Sequence, residues 1–139
     1  MKLQIFYDNT PYRFRGWKKF KELVAAIIKN EGKVAGDISF IITSDDYLLT
    51  VNKEFLNHDC FTDVISFDYS SDDNIAGEIY ISADTVRRNS VEYNVDLDNE
   101  MLRVMIHGIL HLTGYNDKTT QEKQTMKHLE DKWISCFKF

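Results

Sequence analysis

Between Asp98 and Leu112 the apolar residues Met101, Leu102, Val104, Met105, Ile106, Ile109, Leu110 and Leu112 occupy nearly every side of a helix. Only a buried helix tolerates that distribution, so the remainder of the chain must wrap around this segment. His107 and His111 sit four apart on it, and their imidazoles therefore leave the same face one turn apart, within reach of one ion. Gly114 can adopt the left-handed conformation that ends a helix, which lets the chain double back and bring Asp117 to the same point. His107, His111 and Asp117 thus read as three ligands of a single metal ion, with zinc the ion expected, and three protein ligands leave one coordination position for water. The rival reading is a pair of hydrogen-bonded core histidines and a helix-capping aspartate; it has to satisfy several polar groups within an almost wholly apolar helix.

The other segments read as strands and helices in mixed order. Leu3, Ile5 and Tyr7 suit a short strand, and Phe20, Leu23, Val24, Ile27 and Ile28 follow helical spacing from Trp17 to a stop at Gly32. Ile38 to Ile42 reads as a strand, and Ser44 as the N-cap of a helix over Tyr47 to Phe55. Val64 to Phe67 and Glu78 to Ile81 read as strands flanking the polar loop at Ser70 to Asn74, with a hairpin as one way to join them. A helix is expected from Ser82 to about Asn94. Thr119 and Glu122 form a capping-box pattern ahead of the stripe Met126, Leu129, Trp133 and Phe137. The expectation is an α+β (α/β) domain in which a small mixed sheet of about four strands is packed with helices around a zincin-like metal site.

The 139 residues suit one domain, taken as 1–139, and neither a repeat nor a Gly/Ser-rich linker divides them. Cys60 and Cys136 lie far apart without metal-ligand spacing and read as reduced, structural thiols. With neither a signal-peptide core nor a membrane-length apolar run, the expected location is the cytoplasm, away from membranes. A net charge of −5 argues against non-specific coating of nucleic acid, and DNA is not an expected partner. Most aromatics fall on periodic positions and read as core rather than as base-stacking platforms.

The spacing His-x-x-x-His-x-x-Gly-x-x-Asp echoes extended zinc proteases, but those carry a glutamate directly after the first histidine as general base, where this chain has Gly108. The run His107-Gly108-Ile109-Leu110-His111-Leu112-Thr113-Gly114-Tyr115-Asn116-Asp117 instead resembles the HGxLHLxGYDH signature of the YbeY family, zinc-dependent endoribonucleases of bacterial rRNA maturation. Asn52 to Phe67 and Gly77 to Ser82 agree with it as well. The resemblance implies a metallo-endoribonuclease specific for single strands, acting on the small-subunit rRNA 3′ end and in ribosome quality control, with rRNA and the ribosome as partners.

Two positions depart from that family's pattern. Its third zinc ligand, usually histidine, falls on Asp117, which ligates through oxygen and makes other divalent ions more plausible. An arginine that many members carry falls on Leu56, so a phosphate would need another donor: His58, at the family's usual lysine position, or a nearby base such as Arg103. The loss of that arginine sustains an alternative, a non-catalytic ribosome-assembly factor with a structural metal; a divergent metalloprotease ranks behind both. Asp59 and Asp63 can orient a zinc histidine or fix a turn. Arg13, Arg15, Lys18, Lys19 and Lys21, and separately Arg87, Arg88 and Arg103, can track an RNA backbone or be solvated helix faces, the latter being preferred. His128 reads as a surface residue.

Overall fold

The computed structural model describes residues 2–56 and 62–139. Along the chain run β1 (Lys2–Tyr7), α1 (Trp17–Asn30), β2 (Val34–Thr43), α2 (Asp45–Leu56), β3 (Val64–Asp68), β4 (Asn74–Ser82), α3 (Ala83–Glu92), α4 (Leu97–Leu112) and α5 (Thr120–Ser135). Among the described residues the strands form a four-stranded mixed sheet in the order β1-β2-β4-β3, an α+β architecture as expected. β1 and β4 run parallel to β2, whereas β3 and β4 pair antiparallel as the hairpin left open by the sequence. No described helix is long and apolar enough to cross a membrane.

Helix α4 is the hub. It packs against β3, β4, α1, α3 and α5, which is why apolar residues are needed around nearly its whole circumference. Met101, Leu102, Met105, Ile106, Ile109 and Leu110 are fully buried there. Phe20, Phe40 and Trp17 close one end of the same core through ring contacts. The period of two along β3 sends Ile65 and Phe67 to the opposite sheet face, where they pack with Leu48 and Val51 of α2. Val64, Ser66 and Asp68 consequently point to the α4 side, where they line a cleft.

The sequence expectations differ from the structure mainly at element ends. β2 begins at Val34 rather than Ile38, because a register irregularity between Ala35 and Ile38 interrupts the alternation that would have marked its start. α5 stops at Ser135, so Phe137 lies beyond the helix; its ring still packs beside Phe14. Ser44 does cap α2, its hydroxyl accepting the Tyr47 N–H at 3.3 Å, and the Thr119 and Glu122 capping box is formed. Cys136 is exposed and free, not a core thiol; Cys60 lies outside the described residues.

Candidate metal centre

The C-terminal half of α4 presents His107 and His111 side by side, their Nε2 atoms 2.9 Å apart. Just beyond, Gly114 adopts φ +115°, a value that L side chains rarely take. Its N–H donates to the His111 carbonyl at 3.0 Å and the Tyr115 N–H to that of Leu110 at 3.1 Å. These two bonds complete a Schellman closure that turns the chain back over the helix end. Asp117 arrives with Oδ2 3.2 Å from His107 Nε2 and 3.5 Å from His111 Nε2. Four ligands placed tetrahedrally at ordinary zinc distances are about 3.3 Å apart, so the spacing of these three donors suits one such ion. His107, His111 and Asp117 together form a group able to hold a metal ion.

A carboxylate that the sequence reading missed orients the first imidazole. Glu130 of α5, only 7% exposed, places Oε2 2.6 Å from His107 Nδ1. A carboxylate in that position keeps the proton on Nδ1 and leaves the Nε2 lone pair facing Asp117 and His111. Arg103 donates from Nη1 to the other Glu130 oxygen at 2.8 Å and from Nη2 to Asp131, which fixes Glu130 in turn. Burial by itself would depress the His107 imidazolium, but the Glu130 bond and charge, helped by Asp117 and Asp63, outweigh it and raise the pKa in the metal-free site. Burial pushes the Asp63 carboxyl above the usual range despite the nearby His107. The clue to Glu130 was its spacing, since Met126, Glu130 and Trp133 share the buried stripe of α5.

The three donors face a cleft of about 450 Å³ between α4 and β3, lined also by Thr62, Asp63, Ser66 and Asp68. Among the described residues β3 is the edge strand of the sheet, and the cleft runs along it. Arg103 does reach the site, but its guanidinium is spent on Glu130 and Asp131 and is a poor candidate for a phosphate donor. Leu56 ends α2 with an exposed side chain; His58 and Asp59 lie outside the described residues. Of the basic clusters, Arg15 is paired with Asp98 and Arg88 with Asp45, which ties both to the scaffold. His128 is exposed, as expected.

Asp117 is partly exposed, with 40% of its side chain accessible, so its loss should leave the fold intact. Asp117→Ala is expected to weaken zinc binding by at least the roughly 10–100-fold typical of losing even an outer partner of a metal site, whereas Asp117→His should retain it. Competitive zinc titration of the purified variants measures this, and undiminished affinity in the alanine variant would reduce Asp117 to a turn residue.

Comparison with known proteins places these features in a wider set. The sequence profile of the family described as Endoribonuclease YbeY matches residues 8–138. A Flavobacterium psychrophilum protein named Endoribonuclease YbeY is 46% identical over 132 residues, covering 95% of this chain and 94% of its own. A Cytophaga hutchinsonii protein of the same name is 41% identical over 135 residues, covering 96% and 94%. The solution structure of a Thermotoga maritima protein superposes with a TM-score of 0.69 at 30% identity, across 96% of this chain and 87% of that one.

Proposed function

Because the chain belongs to the YbeY family, we propose that it is a metal-dependent endoribonuclease, its zinc held by His107, His111 and Asp117, that cuts single-stranded RNA. The proposed setting is cytoplasmic maturation of the small-subunit rRNA 3′ end and ribosome quality control, carried out by one catalytic domain spanning 1–139. The observation that carries the chemistry is the convergence of His107 Nε2, His111 Nε2 and Asp117 Oδ2 at the mouth of an open cleft. When bound there, zinc supplies Lewis acidity and lowers the pKa of water toward neutrality.

The chain's own groups do the remainder. Glu130 holds the proton at His107 Nδ1, so that Nε2 stays available as a donor, and Arg103 keeps Glu130 from swinging away. Asp63, a half-buried carboxyl lining the cleft whose protonation burial favours, stands where a proton can be held or passed. Leu112 and Val64 give the otherwise polar cleft an apolar edge.

Gly108 speaks against proteolysis. A Cβ at that position would meet Ile79 Cγ2 at 2.8 Å, so a glutamate side chain there would have to enter the packed interface with β4. The assembly-factor reading draws on Leu56, which offers no guanidinium, and on the engagement of Arg103. The two readings separate on single-stranded and duplex rRNA fragments incubated with chelator-stripped and zinc-restored protein. Cleavage of the single strand alone, returning with zinc, is the expected result. Association with the small subunit and no cutting under either condition would favour the assembly factor.

A further inference from the structure

On the α5 side of the metal centre lies a second groove, about 600 Å³, which shares His107 and Asp117 with the first. Its floor is Met126, and one wall is made by Tyr93 and Val95, apolar residues left 59% and 44% exposed. The opposite wall carries Lys123 and Lys127, four apart on α5 and therefore on one face. Neither lysine is in a salt bridge among the described residues, in contrast to Arg103 in the same groove. The Tyr93 wall is held firmly: the Tyr93 N–H donates to Asn89 and the Val95 N–H to Ser90, each at 2.9 Å, across the left-handed Asn94.

We infer that this groove is the seat of a nucleotide next to the scissile phosphate, with its base against Tyr93, Val95 and Met126 and its flanking phosphates on Lys123 and Lys127. This rests on the endoribonuclease reading. Charge favours this side, because the cleft along β3 presents Asp63 and Asp68 and no cation among its described lining residues, whereas in the α5 groove the carboxylates Glu100 and Glu130 are buried, Glu130 is paired with Arg103, and Lys123 and Lys127 add two ammonium groups outside any salt bridge among the described residues. An exposed aromatic ring beside two cations is the arrangement by which proteins hold unpaired nucleotides, stacking the base and tracking the backbone. A duplex keeps its bases stacked internally and cannot offer one to Tyr93, so the groove also accounts for preference for single strands.

Fluorescence anisotropy of a short labelled oligoadenylate with zinc-loaded protein, the strand checked for integrity on a gel, tests the assignment. Lys123→Ala combined with Lys127→Ala should weaken binding about tenfold, and should make the slope of log affinity against log salt less negative by about 1.4, the contribution of two single-strand phosphates. Tyr93→Ala should cost about tenfold and Tyr93→Phe little, since the ring is what stacks. Circular dichroism establishes that these surface variants fold. Lys18→Ala combined with Lys21→Ala, on α1, should change neither quantity. An unaltered salt slope in the α5 pair, or a loss that appears in the α1 pair instead, overturns the groove while leaving the endoribonuclease reading intact. Wild-type protein that neither binds nor cuts RNA overturns both.

Discussion

His107→Ala is expected to lower RNA cleavage by about 1,000-fold or more, with the remaining fold largely preserved. The magnitude follows from losing several kcal/mol of charge stabilisation when the metal leaves, at about 1.4 kcal/mol per factor of ten. His107 is the most exposed point of failure because it joins both layers of the site: Nε2 faces Asp117 and His111, and Nδ1 faces Glu130. Its removal also leaves one oxygen of a buried carboxylate without its partner, at a cost of about 1–3 kcal/mol in stability. Glu130→Gln provides the graded comparison. That variant keeps the volume but gives up the charge that holds the Nδ1 proton, so zinc affinity should drop by about 10–100-fold, and excess zinc should restore much of the activity. Steady-state cleavage across a zinc titration distinguishes the two, because no zinc concentration should rescue the alanine variant. Wild-type rates in His107→Ala would remove the metal centre from the mechanism.

Gly108→Glu is expected to prevent folding, by more than about 4 kcal/mol. A Cβ alone would lie 2.8 Å from Ile79 Cγ2 and 2.9 Å from Ile79 Cδ1, both methyls of a fully buried, β-branched side chain of β4. Gly108→Ala should therefore cost about 1–3 kcal/mol through overpacking. The glutamate adds a carboxylate with no partner in the apolar interface between α4 and the sheet. Urea denaturation of the alanine variant, together with the soluble yield of the glutamate variant, gives the measurement. A Gly108→Glu protein that folds and gains peptidase activity would mean that α4 can rotate on the sheet, against the packing described above. The same close approach leaves no room beside Ile79 for the glutamate that follows the first histidine in zinc proteases.

Much of the scaffold was legible because it is written in local periodicity. The 3.6-residue repeat of α1 and α5, the two-residue repeat of β3 and the cap at Ser44 each depend on neighbours a few positions away, and each emerged nearly where expected. The β2 start was misplaced where a bulge breaks that repeat. The expectation for Arg103 as a phosphate donor met a guanidinium already bound by Glu130 and Asp131, partners 27 and 28 residues away. Lys123 and Lys127 drew no attention in the sequence, since lysines on an amphipathic helix usually face only water.

What the amino-acid order determined by itself was the buried helix, the two imidazoles one turn apart on it and the Gly114 reversal that brings Asp117 back, because helical pitch and backbone sterics act within a single turn. Only the tertiary structure decided that Glu130 would meet His107 across 23 residues, that β3 would form the sheet edge beside the donors among the described residues, and that Tyr93 would line a groove with Lys123 and Lys127 of α5. Those relations arise from how α3, α4, α5 and the sheet pack against one another, and packing depends on the summed fit of many side chains that no spacing in the sequence records.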